Sequence, residues 1–356
     1  MQLGIVGWPK VGKTLLFNLL TASRQETGKF SASLKVHAGT ARVEDPRLDA
    51  LRDLFSPRKF TPATIDYVDL PGLAKGESGA GPDLAVLKPV DALAHVVRCF
   101  EDPEILHAAG SVDPVRDIHE LDLELVLADH ELVSRRLERL VQAAKRGLNE
   151  DEKRERALLG DVVLPALESE RPLRELVLDP DGERRLRGFQ LLSAKPMLYV
   201  LNVAENRVAE PPPAEIAGAV GRDAVVIVVS APIEEEISRL EGEDQKELLA
   251  ELGLAEPSTR RLIRSSYALL GLESFFTVGE DEVRAWTVRR GTSARDAAAK
   301  IHSDIARGFI RAEVVSWRDL VELRSWAACR EHARLHLEGK DYPVADGDVI
   351  NFRFNV

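Results

Sequence analysis

The sequence predicts an α/β fold built on a mostly parallel sheet, and three observations predict it. A short apolar run, Leu3–Val6, leads into Gly7-Trp8-Pro9-Lys10-Val11-Gly12-Lys13-Thr14 and then into a helical stretch, Leu15–Leu20. An alternating run, Thr61–Asp69, ends in Asp69-Leu70-Pro71-Gly72. Met197–Val203 and Ala224–Val229 are continuously apolar, as strands covered on both faces are.

The first of these is the strand–loop–helix context in which G-x-x-x-x-G-K-[ST] reads as a P-loop. Backbone N–H groups must wrap a phosphate there, so the loop needs residues without obstructing side chains at its ends. The following helix aims its free N–H groups at the same anion. The phosphate-binding stretch is Gly7, Trp8, Pro9, Lys10, Val11, Gly12, Lys13, Thr14 and Leu15. Lys13 reaches the β- and γ-phosphates in this reading, and the Thr14 hydroxyl binds Mg²⁺. Asp69-Leu70-Pro71-Gly72 is the D-x-x-G pattern. In P-loop NTPases the Asp of this pattern holds Mg²⁺ through water and the Gly N–H meets the γ-phosphate, the roles expected here of Asp69 and Gly72.

Composition bounds the rest. The 356 residues are 44% hydrophobic and 30% charged, with a net charge of −11. That is a globular chain of one to three domains, and its charge argues against wholesale coating by nucleic acid. Cys99 and Cys329 are too few for a disulfide framework or a zinc site, which favours a reducing cytoplasm. No apolar stretch reaches the roughly 18 residues of a membrane helix, so no membrane partner is expected. The first core strand begins at Gln2, which leaves no room for a signal peptide.

Along the chain, Thr21–Thr40 reads as a polar loop and Lys75–Asp83 as a glycine-rich one. Asp91–Phe100 reads as a buried strand. Asp113–Arg146 then shows apolar residues at helical spacing, namely Ile118, Leu121, Leu125, Leu132, Leu137, Leu140 and Val141. After a break at Gly147-Leu148-Asn149, Glu150–Glu168 is helical again, so the pair reads as an inserted antiparallel helical arm. Arg135, Arg136, Arg139, Lys145 and Arg146 give it a basic end, either a solvated face or a contact for RNA phosphates or a partner. Ile233–Leu254 is helical and acidic. The last stretch combines strands at Glu282–Val288, Ala312–Val315 and Val349–Phe354 with helices at Ser293–Arg307 and across most of Asp319–Leu337, a β-grasp mix. The expected division is 1–110 with 190–275 for the nucleotide domain, 111–189 for the arm and 276–356 for the terminal domain.

Base recognition departs from the guanine-reading pattern N/T-K-x-D. After the strand that follows Pro196 stands Asn202-Val203-Ala204-Glu205. The Asn is kept, Val203 replaces the Lys that packs on the base, and Glu205 replaces the Asp. A carboxylate one methylene longer cannot sit at the same base edge, so adenine should be accepted at least as well as guanine. Ser230-Ala231 fits the loop that meets the base from the other side. Leu73 follows Gly72 where many GTPases carry a water-orienting Gln. An apolar side chain cannot hold water, so intrinsic hydrolysis should be slow and should rest on Lys13, Mg²⁺ and Lys10.

Taken together these residues resemble the YchF subfamily of the Obg-related NTPases. The resemblance rests on Gly7–Asn18, Asp69–Lys75, His95–Glu101 and Asn202–Glu205 in the first part of the chain. It continues through Arg284–Thr287, Lys300–His302, Gly308–Ala312, Gly339–Tyr342 and Asp346–Val356. It implies a P-loop domain of G-domain type with a helical insertion and a C-terminal TGS domain of β-grasp fold. It implies a Mg²⁺-dependent NTPase that prefers ATP to GTP, with an apolar residue for the catalytic Gln. It also implies association with the ribosome, through its large subunit, or with RNA, the arm and the TGS domain being the contacts. Nothing in the sequence demands an oligomer.

Three departures from that pattern stand out. Lys10 replaces the usual loop Asn, which in relatives can help hold a monovalent cation; its ammonium either supplies that charge or simply points into solvent. Ser33 is the nearest equivalent of the Mg²⁺-binding Thr in the first switch loop. The glycine-rich second switch, Gly76–Leu87, is shorter than usual, as in a divergent paralogue. Other residues carry less. His332 and His336 are four apart on an expected helix but lack a third metal ligand, Cys99 reads as an inert core residue, and Trp8 either covers the nucleotide sugar or shields the loop. Alternatives to a ribosomal NTPase switch are a nucleotide-gated RNA- or protein-binding regulator with negligible turnover, an assembly factor, and a GTP-specific enzyme.

Overall fold

The computed structural model describes residues 1–23, 36–71, 73, 84–221 and 223–355. Its strands are β1 (Gln2–Val6), β2 (His37–Arg42), β3 (Lys59–Thr61), β4 (Thr64–Asp69), β5 (Ala92–Cys99) and β6 (Met197–Val203). They continue as β7 (Val225–Val229), β8 (Leu272–Thr277), β9 (Glu282–Arg289), β10 (Phe309–Ser316), β11 (His336–Glu338) and β12 (Asp348–Phe354). They form two six-stranded sheets, and the chain divides into two compact units.

The first unit comprises Met1–Gly39 and Asp66–Thr259. The sheet β2-β4-β1-β5-β6-β7 belongs to it except for Thr40–Arg42 of β2 and Thr64–Ile65 of β4, and β1 pairs in parallel with both β4 and β5, as β6 does with β5 and β7. β6 is buried along its whole length and β5 in all but its last residue, as strands covered on both faces require. The loops that follow the strands at their carboxyl ends therefore gather at one edge of the sheet, where a parallel α/β sheet binds its ligands.

The arm begins at Pro114, whose ring suits a first helical position, with the Asp113 side chain capping the Arg116 N–H. The helix runs to Ala144. A capping box of Asn149 and Glu152 starts the next helix, Glu150–Leu158, which passes through a π-turn at Leu159–Val163 into Leu164–Glu168. Val126, Val133, Leu140, Leu159, Val163 and Leu167 form the shared core. Val126 and Val133 are core residues absent from the sequence-derived stripe, whereas Val141, counted in it, is half exposed. Arg136 ties the two helical runs through two bonds to Glu155 at 2.6 and 2.9 Å.

The second unit comprises Thr40–Ile65 and Arg260–Val356. Its sheet runs β11-β10-β12-β8-β9-β3. The closely packed alanines Ala294, Ala297 and Ala298 of the helix Ala294–Ile301 lie against Phe275, Ile350 and Phe352. Ser293 caps that helix, as its sequence suggested. Four sequence expectations differ from the fold. Thr21–Thr40 is not all loop, because β2 starts at His37. The span Asp319–Leu337 is broken into helices Trp317–Leu323 and Trp326–Glu331 and then β11. His336 therefore lies in a strand, and the helical i,i+4 metal pair with His332 does not exist. Gly242, with φ 61, likewise splits Ile233–Leu254 into helices Ala231–Ile237 and Gly242–Glu251.

Candidate functional site

The site lies at the carboxyl ends of β1, β4 and β6, which deliver the P-loop, Asp69 and Asn202. Gly7 must be glycine: its φ is 146, and a Cβ would meet the Val96 carbonyl oxygen at 2.4 Å. Gly12 has φ 98, and a Cβ there would meet Asn202 Nδ2 at 2.5 Å. Lys10 also has positive φ, 64, in the left-handed region that Asn tolerates better than Lys, and its side chain is exposed.

Lys13 is folded into the loop. Its Nζ donates to the carbonyls of Gly7 (3.0 Å) and Trp8 (2.8 Å) and is buried. Burial pushes its pKa down from 10.5 to about 8, against the attraction of Asp69. Thr14 Oγ1 donates to Asp69 Oδ2 at 2.8 Å. Asp69 Oδ1 is buried without a hydrogen-bond partner among the described residues. Burial pushes the Asp69 carboxyl up, while the Thr14 hydroxyl and the Lys13 ammonium pull it down. A buried, half-satisfied carboxylate beside a hydroxyl is a donor set that suits a hard divalent cation, so these residues fit Mg²⁺.

Asn202 joins the loop to the next strand end. Its Nδ2 donates to the Val11 carbonyl at 2.9 Å, and its Oδ1 accepts from the Ala231 N–H at 3.1 Å. The Ala231 N–H is thus engaged within the protein, and the Ser230 hydroxyl is buried without a partner among the described residues. Val203 is buried at the end of β6, whereas Glu205 is exposed at the start of the turn Glu205–Arg207. Pro9, Val11 and Leu15 sit in the loop and first helical turn beside Lys13 and Thr14. Leu73 is buried, and its N–H donates to the Gly7 carbonyl at 3.3 Å. Ser33, Gly72 and the glycine-rich stretch 74–83 lie outside the described residues.

One contact had no local signal in the sequence. Trp8 is buried, and its indole N–H donates at 3.2 Å to the carbonyl of Asp117 in the first turns of the arm helix. The Asp117 carboxylate accepts from His107 Nε2 (2.9 Å) and from Arg116 (2.8 Å). His107 Nδ1 accepts the Ala109 N–H, which leaves the ring proton on Nε2. Cys99, at the end of β5, is held as a thiol by burial, which pushes it up to about 12. Among the described residues no group of three or more His, Cys, Asp and Glu could hold a metal ion. No described helix is long and apolar enough to cross a membrane.

Residues 2–134 match a family model described as "50S ribosome-binding GTPase". Residues 272–355 match the model for the YchF GTPase C-terminal segment, described as a protein of unknown function (DUF933). The chain is 43% identical to a protein of Bacillus subtilis and 41% to one of Escherichia coli O157:H7, each named ribosome-binding ATPase YchF, with 99% of both chains covered in each case. The YchF GTPase of Schizosaccharomyces pombe superposes with a TM-score of 0.87 at 29% identity, covering 99% of this chain and 97% of that one. A GTP-binding protein of Pyrococcus horikoshii shares the fold, with a TM-score of 0.60 at 19% identity over the full length of both chains. The fold is an α/β P-loop domain of G-domain type followed by a C-terminal domain, and the chain belongs to the YchF family of P-loop NTPases.

Proposed function

We propose that this chain is a Mg²⁺-dependent NTPase that binds and slowly hydrolyses ATP in preference to GTP and works as a switch on the ribosome. The observation that carries the proposal is the convergence of Lys13, Thr14 and Asp69 under the P-loop. Thr14 would hold Mg²⁺ directly and Asp69 through water, and bound Mg²⁺ supplies charge neutralisation at the phosphates. Lys13 presents its ammonium to the β- and γ-phosphates in exchange for the two carbonyls it now holds. Asn202 keeps the loop in register with the Ser230-Ala231 turn, where the base is read. Ser33 and Gly72, outside the described residues, are the proposed further metal ligand and γ-phosphate contact. Lys10 is the proposed substitute for a monovalent cation; potassium-stimulated hydrolysis would speak against that role.

ATP preference is supported by the base turn. Val203 is packed in the core and offers no stem to cover a base, and Glu205 replaces the guanine-reading Asp. Slow turnover is supported by Leu73, whose buried apolar side chain cannot orient water. That same residue favours a second reading, a nucleotide-gated regulator with negligible turnover.

The ribosomal role rests on the names of the relatives and on the arm. A groove of about 530 Å³ at the arm is lined by Lys88, Arg135, Arg136, Arg139, Phe189 and Gln190. Its basic side chains suit RNA phosphates, although Arg135 and Arg136 also pair with Glu131 and Glu155. The proposed partner is the large subunit, met by the arm and the C-terminal domain, and the proposed setting is a cytoplasmic monomer. Phosphate release from Mg²⁺-ATP, measured alone and with purified ribosomes, tests the proposal. Slow release that ribosomes accelerate and that Lys13→Ala abolishes is the expected result. Release no faster than background in both conditions would leave the regulator reading.

A further inference from the structure

The polypeptide crosses between its two compact units at three bonds: Gly39–Thr40, Ile65–Asp66 and Thr259–Arg260. The middle crossing falls inside β4. This strand ends on Asp69, the carboxylate bonded to Thr14, and begins with Thr64 and Ile65, which belong to the second unit. Of the three crossings, it is the one whose own strand carries a residue of the nucleotide site.

Upstream of Thr64 the chain is bonded within the second unit, and β3 is bonded to its sheet. The Ala63 carbonyl accepts from the Val43 N–H at 2.9 Å. β3 adds to the sheet edge in parallel with β9, Lys59–Thr61 facing Glu282–Arg284. Thr61 Oγ1 donates to Glu282 Oε1 at 2.6 Å, and Lys59 Nζ reaches the same oxygen at 2.9 Å. The Arg58 and Lys59 N–H groups donate to the Glu280 and Asp281 carbonyls, both at 3.0 Å. Farther back, Arg47 holds Asp346 through two bonds at 2.7 and 3.1 Å and lies over the Phe276 ring at 5.4 Å. Packed elements switch between discrete arrangements rather than deforming continuously, so a shift at one end of a paired segment can be read at the other.

We infer that β3 and β4 form a lever that reports the state of the Thr14–Asp69 site to the C-terminal sheet, with Glu282 on β9 as the receiving residue. A pull on Asp69 by a bound metal–nucleotide would travel back along β4 to Thr61 and be felt at Glu282. This rests on the proposed nucleotide function, but it adds a fixed route for the signal and a destination.

Hydrogen-exchange mass spectrometry on the full chain, with and without Mg²⁺ and a non-hydrolysable ATP analogue, tests the lever. The comparison uses wild type, Thr61→Val and Glu282→Gln. Thr61→Val removes one hydroxyl and keeps the branched shape. Glu282→Gln removes the charge met by Lys59 and serves if the first variant melts early. In wild type, exchange should slow at residues 7–16 and change at 282–289. The variants should keep the protection at 7–16 and lose the change at 282–289. Protection at 7–16 with no change at 282–289 in wild type would overturn the lever alone, as would variants that keep the full change. Absence of protection at 7–16 would overturn the nucleotide reading, and the lever with it.

Discussion

Thr14 Oγ1 donates a 2.8 Å hydrogen bond to Asp69 Oδ2, which joins the first turn of the P-loop helix to the end of β4. The other oxygen of Asp69 is buried without a partner among the described residues. A buried carboxylate in that condition is costly to the fold and useful to a cation. Asp69→Asn should therefore keep or slightly raise the melting temperature while removing the tightening of nucleotide binding by Mg²⁺. Nucleotide titrations with Mg²⁺ and with EDTA check this. An unchanged Mg²⁺ effect in the variant would exclude Asp69 from the metal site.

Asn202 satisfies one carbonyl of the P-loop and one N–H of the Ser230-Ala231 turn. Asn202→Ala leaves both buried groups unpaired, a loss of about 1–3 kcal/mol for each such group. Thermal unfolding should show a clear drop in stability, and nucleotide affinity should fall because loop and base turn lose their common brace.

Lys13 has its pKa lowered from 10.5 to about 8 by burial. It is an ammonium below that pH and loses its proton above it. A phosphate favours the ammonium, so nucleotide affinity should weaken as pH rises through 8, by up to about tenfold per unit. Binding at pH 9 should take up a proton, visible by calorimetry in buffers of different ionisation enthalpy. Lys13→Met should abolish the uptake.

His95 is fully buried in β5, 5.9 Å from the Tyr199 ring, with neither ring nitrogen bonded among the described residues. Burial, with the charges of Arg174 and Lys13, lowers its pKa from 6.5 to about 3. Between those values the unfolded chain binds the proton and the folded chain does not. Stability should thus fall as pH drops below 6.5, by about 1.4 kcal/mol per unit from this group. Denaturant unfolding between pH 7 and 4 should show a flatter decline for His95→Leu than for wild type.

The sequence made some of this legible for physical reasons. The P-loop, the D-x-x-G strand and the β6 and β7 runs are local patterns, because glycine geometry and two-sided burial leave their mark in consecutive residues. The membership of Thr40–Ile65 in the second unit was not legible. β3 has three residues, too few for a period, and its partner β9 lies more than two hundred residues away. Trp8 and Asp117 meet across 109 residues through one indole N–H, which no spacing rule announces. Val126 and Val133 escape a fixed sequence stripe, and Val141 falls in it, because a helix of 31 residues drifts out of any fixed stripe.

In the proposed function, Asn202-Val203-Ala204-Glu205 admits adenine while the P-loop holds the triphosphate. Direct competition of ATP and GTP for the purified chain with Mg²⁺, by calorimetry or a fluorescent analogue, tests it most closely. ATP should bind more tightly. Tighter binding of GTP would mean that Glu205 or a main-chain group restores guanine recognition, and would contradict the assignment of the base site.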